Sequence, residues 1–324
     1  MIAVNANKSK KIQLLRGLAI IAVVFIHTTP EGMTQVVCRP FLNIAVGTFI
    51  FLSGMLSDAQ KWKPFKRLTK VLPPYVIWTF LYTLTLSYRT PDLIVRKYIR
   101  YLISGNSAAI MYYIFVYCEF TLVIPLIDKL AKSRFKYLGF LISPLEIICA
   151  RLLPIIFEIQ LNKYISSIVG LSCLGWFTYF YLGYMLGNYH TSINGRTRTI
   201  VGFWAISILI QMLEGYWYYS MGIRDCGTQL KLSAVLSGSL FCILAFRYIE
   251  KDSTKKLSFL VTLGNYSFGI FFSHIFIKKL LSAIPGYLDY VFYPLNSIIL
   301  ILISLGVVML GHKIFGRFAK YIAF

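Results

Sequence analysis

A basic side chain and an imidazole lie eleven residues apart in the first apolar run of the chain, Arg16 and His27 in LLRGLAIIAVVFIH. An α-helix turns about 100° and rises about 1.5 Å per residue, so both side chains share one helix face about 16 Å apart. If Arg16 marks the inner edge of a membrane, His27 lies near the middle of the apolar layer. An ionisable group at that depth faces a bundle interior or a cavity, and histidine exchanges protons near neutral pH. The spacing therefore predicts a buried acid–base centre with a cation at its entrance.

Two carboxylates are candidate partners for this imidazole. Glu119 in YYIFVYCEFTLVIPL precedes Asp128 by nine residues, which predicts a depth similar to that of His27. Glu146 in LISPLEIICA is the other carboxylate expected deep in the membrane. Either one could orient the imidazole and stabilise its cationic form. A protonated glutamic acid that ties helices together explains Glu119 equally well, and the choice between the two carboxylates stays open.

A cluster of cations lies between the second and third apolar runs, in KWKPFKRLTKVLPPYVIW. Its members Lys66, Arg67 and Lys70, together with Arg16, are the candidates for binding phosphate groups by charge and by forked hydrogen bonds. Anionic lipid headgroups would be attracted by the same charges. The cluster alone therefore indicates an anionic ligand without choosing between these two.

Three further side chains are candidates for contact with a substrate. Ser53 in FLSGMLS and Tyr117 could donate a hydrogen bond to an oxyanion. His274 in LGNYSFGIFFSHIF could bind an acceptor. Small residues in membrane helices serve close packing more often than catalysis, which is the competing interpretation of Ser53 and Gly54. The six cysteines show no CxxC spacing, and no metal site is predicted.

The composition is that of an integral membrane protein. Of 324 residues, 57% are hydrophobic and 14% are charged, as expected when long apolar runs repeat along a chain. The net charge of +21 comes from short clusters between these runs, which is typical of membrane topology signals and argues against nucleic-acid binding. The chain also lacks the sequence motifs of ATP-driven pumps, zinc proteases and serine hydrolases.

About ten apolar segments predict a single all-α bundle of transmembrane helices that fills residues 1–324 as one domain. The segments are 12–30, 40–58, 72–88, 108–127, 136–151, 165–187, 199–214, 230–249, 257–282 and 291–314. An even number places both termini on one side, and that side carries about twice as many Lys and Arg residues as the other. We therefore expect both termini in the cytoplasm.

In their order along the chain, these landmarks resemble membrane acyltransferase family 3. The resemblance is carried by the Arg16-to-His27 spacing, by FIFLSGMLS, by FKRLTKVLPPYVIW, and by EFTLVIPL, YFYLGYMLGNY and LGNYSFGIFFSHIF. The chain departs from the family in two places, with Lys70 where a second arginine is common and with Tyr112-Tyr113 where a Trp-Phe pair is common.

The resemblance implies an enzyme of a bacterial cell membrane, in contact with membrane lipids, that moves an acyl group, usually acetyl, from acyl-CoA to a hydroxyl of a cell-envelope glycan or a related small acceptor. It implies that His27 is the essential histidine and that Arg16 and the basic segment handle the CoA donor. Whether His27 acts as general base or carries the acyl group is open.

Two functions of other classes compete with this one. An exporter or flippase of a lipid-linked saccharide would also place polar groups deep in the membrane, along its substrate path. A sensing or anchoring module that binds envelope ligands is the third alternative.

Overall fold

The computed structural model of the chain describes residues 5–87, 90–159, 162–189, 195–251, 257–287 and 291–324. All regular secondary structure in these ranges is helical. The helices are α1 Ala6–Thr28, α2 Met33–Leu42, α3 Ile44–Met55, α4 Pro64–Ser87, α5 Ile94–Ser104, α6 Tyr112–Lys132, α7 Ile142–Ile147, α8 Leu153–Ile156, α9 Lys163–Leu171, α10 Phe177–Asn188, α11 Thr197–Ser220, α12 Leu232–Glu250, α13 Ser258–Asn265, α14 Ser267–Ser282 and α15 Leu295–Phe315. Short 3₁₀ segments include Leu174–Trp176 and Gly316–Tyr321, and a π-helical turn, Ile148–Leu152, joins α7 to α8.

Every segment predicted to span the membrane lies on helical structure, but three of them are broken. The segment 40–58 divides at Asn43, 165–187 divides at the turn Leu174–Trp176, and 257–282 bends by 77° between α13 and α14. A break exposes backbone groups that need polar partners inside a membrane. At the first break the Asn43 backbone N–H still donates to the Arg39 carbonyl (2.8 Å). The buried side chain of Asn43 also joins this break to neighbouring segments, since its Nδ2 donates to Gln211 Oε1 and to the Gly227 carbonyl (3.1 Å).

Six helical stretches in the described ranges are long and apolar enough to cross a membrane, or seven if the bent α13–α14 pair counts as one span. Two of the six, Met33–Met55 and Lys136–Ile156, each join several of the short helices above. The chain thus has the helices expected of an integral membrane protein. The predicted number of about ten spans and the cytoplasmic side of the termini stay predictions.

Helix α1 packs against α13 with its backbone in direct contact. A Cβ atom added to Gly17 would lie 2.0 Å from the Leu260 carbonyl oxygen, and one added to Gly264 would lie 1.8 Å from the Gln13 carbonyl oxygen. Residues without a side chain allow membrane helices to approach this closely. The contact fixes the middle of α1, next to Arg16, against α13.

A second close contact joins α3 to α10. A Cβ atom added to Gly54 would lie 2.1 Å from the Phe180 carbonyl oxygen, and one added to Gly183 would lie 2.1 Å from that of Phe51. Gly54 in FLSGMLS therefore serves close helix packing, the competing interpretation given for this motif.

We predict that Gly54→Ala lowers the thermal unfolding midpoint of the purified protein in detergent. The added methyl group must push α3 away from α10, and such overpacking costs about 1–3 kcal/mol. The matched control is Gly306→Ala on α15, where no heavy atom lies within 4 Å of the added Cβ. Equal midpoints for the two variants would contradict the proposed packing.

Candidate functional site

A cavity of about 800 Å³ lies among α1, α3, α4, α6, α14, α15 and the segment that follows α15. Basic side chains and a histidine from four parts of the chain line it, namely Arg16, Lys70, His312 and Lys320. Within the described part of the chain, no Asp or Glu is among the lining residues. The cavity is therefore suited to an anionic ligand.

Arg16 is half-buried in this cavity, between the tyrosines Tyr113 and Tyr117 of α6 and the bend between α13 and α14. None of the ion pairs between described residues includes it. A buried charge without a carboxylate is costly unless another polar group or a ligand compensates it. The guanidinium is thus available to an anion that enters the cavity.

His27 lies beside a second imidazole, that of His274 on α14. The centroids of the two rings are 5.4 Å apart and the ring planes are inclined by 45°. His274 is fully buried, and its Nδ1 lies 2.9 Å from the Ile270 carbonyl oxygen. Because a carbonyl oxygen only accepts, Nδ1 carries the proton, and the lone pair of Nε2 remains without a hydrogen bond. The pair thus holds one imidazole in a defined tautomer next to the other.

The end of α1 that carries His27 is held by two cations. Arg39 Nη1 donates to the Ile26 carbonyl (3.1 Å), and Lys278 Nζ donates to the His27 carbonyl. The last carbonyl groups of a helix have no partner within the helix, and cations are favourable there. Sequence reasoning did not assign a role to Arg39 or Lys278. The one indication in the sequence is the position of Lys278, four residues after His274, which places the two side chains on one face of the same helix.

The two residues of the opening motif, Arg16 and His27, both lie on α1. The helix begins at Ala6, so Arg16 lies inside it, whereas His27 is its penultimate residue. Val23, one turn before His27, is a lining residue of the cavity. The cavity therefore follows α1 from Arg16 to Val23, and His27 lies one turn beyond.

The two carboxylates predicted as partners of His27, Glu119 and Glu146, contact other residues in the structure. Glu119 Oε2 accepts a hydrogen bond from the Cys173 backbone N–H (2.6 Å). Glu146 forms an ion pair with Arg151 (3.5 Å) and packs against Gly175. Both carboxylates thus converge on the turn between α9 and α10. The ring observed next to His27 among the described residues belongs to His274.

The basic segment divides into three different environments. Lys70 lines the cavity, and Lys66 is exposed to solvent outside it. Arg67 donates to the Ser57 hydroxyl (2.7 Å) and to the Leu56 carbonyl (3.4 Å) at the end of α3. Of these three cations, Lys70 lines the same cavity as Arg16, and Arg67 joins α4 to α3 through its hydrogen bonds.

Ser53 and Tyr117, the two hydroxyl groups predicted to bind an oxyanion, lie in different environments. Tyr117 lines the cavity together with Arg16. Ser53 is half-buried near the end of α3 and is not a lining residue, and its carbonyl accepts a bond from Ser57. A tyrosine, rather than the serine, is therefore available to a ligand in the cavity.

A family model described as an acyltransferase domain matches residues 9–313, nearly the whole chain. A search of the curated proteins returned no match, and neither did a search of the solved structures.

We predict that Arg67→Ala lowers the thermal unfolding midpoint of the protein in detergent. It removes two hydrogen bonds from a charged donor to the end of α3, worth about 1–2 kcal/mol together. Lys66→Ala, one residue earlier in the same turn, makes no such bonds and should leave the midpoint unchanged. If both variants melt like the parent protein, Arg67 does not join the two helices.

Proposed function

The chain belongs to acyltransferase family 3, which confirms the predicted family, and from that premise we propose the reaction of this membrane acyltransferase. The proposed reaction transfers an acyl group, with acetyl as the first candidate, from acyl-CoA on the cytoplasmic side. The acceptor is a hydroxyl of a cell-envelope saccharide or a related molecule.

The observation that carries this proposal is the cavity along α1. Arg16 and Lys70 line it, no Asp or Glu does so in the described ranges, and Val23 brings it within one turn of His27. Phosphate groups of CoA bound to Arg16 and Lys70 would leave the pantetheine arm to extend along the apolar wall formed by Val23, Val46 and Phe271. The thioester would then approach the two imidazoles.

In the direct route, His27 acts as a general base. One of its ring nitrogens takes the proton of the acceptor hydroxyl while the oxygen attacks the thioester carbonyl carbon. The tetrahedral intermediate collapses, the carbon–sulfur bond breaks, and the CoA thiolate takes the proton from His27. The products are the acyl ester and CoA. The oxyanion needs hydrogen-bond donors, and Tyr117 is the better placed of the two candidates.

In the alternative route, His27 carries the acyl group. Its unprotonated nitrogen attacks the thioester carbonyl carbon, the carbon–sulfur bond breaks, and the CoA thiolate takes the proton from the other ring nitrogen, so that CoA and a neutral acyl-imidazole result. The oxygen of the acceptor hydroxyl then attacks this intermediate, the carbon–nitrogen bond breaks, and the hydroxyl proton passes to the released imidazole. In both routes His274, whose ring is the neighbour of the His27 ring, would orient His27 for reaction.

We predict that His27→Ala lowers acyl transfer at least about 100-fold, the usual effect of losing a general base. Membranes that contain the protein are supplied with acetyl-CoA labelled in the acetyl group, and labelled products are identified by mass spectrometry. Lys66→Ala is the matched control, since this cation lies outside the cavity. Full activity of His27→Ala would overturn the proposed role. A parent protein that moves a lipid-linked saccharide across vesicles without cleaving acetyl-CoA would favour the exporter.

A second prediction concerns His274. His274→Asn keeps a donor near the position of Nδ1 but removes Nε2, so the bond to the Ile270 carbonyl is retained. We expect kcat to fall about 10- to 100-fold, with KM for acetyl-CoA and the thermal midpoint nearly unchanged. His274→Ala removes both functions and should also destabilise the protein. If His274→Asn retains the parent kcat and pH profile, the ring has a packing role alone.

A further inference from the structure

The segment that follows α15 forms part of the wall of the cationic cavity. Lys320, in the 3₁₀ segment Gly316–Tyr321, and His312, in the last turn of α15, are both lining residues. They lie far along the chain from the basic segment before α4, and sequence reasoning assigned them no role. Both are exposed, as Lys70 is, whereas Arg16 is half-buried. This exposure places them at the mouth of the cavity and Arg16 deeper inside.

The segment is docked onto the helices rather than free of them. At Gly316 the backbone has φ of +49°, a conformation that glycine adopts readily, and the chain turns there at the end of α15. Trp78 Nε1 on α4 then donates to the Ile322 carbonyl (3.0 Å). The Phe324 ring packs against Gly311, where an added Cβ would lie 2.1 Å from the ring. These contacts hold Lys320 at the cavity.

Among the described residues, no acidic side chain balances the charge of the cavity. Arg16, Lys70 and Lys320 are absent from the ion pairs of these residues, and no Asp or Glu is among the lining residues there. The ammonium of Lys320 lies 5.0 Å from the ring centroid of its neighbour Tyr321. Three cations and a histidine that line one cavity favour a ligand with several phosphate groups over one with a single carboxylate.

Aromatic rings accompany these charges. The His312 ring lies edge-on to Tyr266 at 6.2 Å, and Tyr266 and Tyr321 both line the cavity. Flat rings beside phosphate-binding cations suit a nucleotide, whose base can stack on them.

We propose that Lys320 and His312 bind the phosphates at the nucleotide end of the acyl-CoA donor, so that the segment after α15 forms one wall of the donor site. This inference rests on the proposed function, because it takes CoA as the donor. Lys320 and His312 would form a second group of phosphate ligands. They come from the other end of the chain than Arg16 and are distinct from the basic segment before α4.

The test uses the purified full chain in detergent and adenosine 3′,5′-bisphosphate as the probe, with binding measured by titration calorimetry. We expect Lys320→Gln to weaken binding about tenfold, the effect of one lost charge-assisted hydrogen bond, and His312→Gln to weaken it less. Arg317→Gln and Lys313→Gln are matched controls, because these cations lie in the same part of the chain outside the lining. Binding by Lys320→Gln equal to that of the parent protein would overturn the inference.

A double variant checks that the two cations share one ligand. Lys70→Gln combined with Lys320→Gln should weaken the single binding event more than either change alone if both cations contact the same probe molecule. Two binding events, each weakened by only one of the two changes, would place the cations at separate sites and contradict a shared phosphate cluster.

A lipid headgroup is the other possible source of phosphate. In nanodiscs of phosphatidylcholine with and without phosphatidylglycerol, probe binding should depend on Lys320 in both compositions. A Lys320 effect that appears only as a change in phosphatidylglycerol binding would assign the wall to lipid and overturn the inference.

Kinetics separate this inference from the proposed function. Lys320→Gln should raise KM for acetyl-CoA but leave KM for acetyl-pantetheine, which lacks phosphates, unchanged. If the parent protein neither binds the bisphosphate nor cleaves acetyl-CoA, the proposed function itself fails. If the parent protein does both and Lys320→Gln behaves identically, only the role of the segment fails.

Discussion

Helix α1 touches α13 backbone to backbone, and the candidate site is assembled around that contact. At Gly17 and Gly264 no side chain separates the helices, and a methyl group at either position would overlap a carbonyl oxygen. Between membrane helices such packing replaces the hydrophobic driving force that acts in water. Because α13 continues after a bend into α14, fixing α1 to α13 also sets where α14 can bring His274 relative to His27.

This packing places basic and acidic side chains in different parts of the protein. Cations converge on one cavity with no Asp or Glu in its described lining, while the acidic side chains named below lie elsewhere. Glu119 and Glu146 hold the turn between α9 and α10, and Asp128 accepts bonds from Tyr184, Tyr189 and Lys132. The separation leaves a concave surface of one sign, which raises the local concentration of anionic ligands and strengthens their binding. It is a property of a binding site rather than of a stabilising network.

The imidazole pair gives His27 a neighbour of a different type from the carboxylate that was predicted. In many histidine-dependent enzymes a carboxylate orients the base. Here a second imidazole, with its proton committed to the Ile270 carbonyl, occupies the neighbouring position. The end of α1 is held by Arg39 and Lys278 through its carbonyl groups, so the ring of His27 remains available for reaction.

The sequence by itself determined the class of protein, its family and the residues of the first helix. Apolar run length, the 3.6-residue period and the Arg16–His27 spacing are local properties of the chain, and they hold whatever the neighbours are. Only the tertiary structure decided which residues meet. Glu119 and Glu146 were both predicted as partners for His27 by their depth. Helix packing instead places beside His27 the ring of His274, which was predicted only to bind an acceptor. Helix packing also decided the position of Lys320. Nothing in the sequence around Lys320 indicates that the segment after α15 docks onto the helices and brings this side chain to the cavity lined by Arg16 and Lys70.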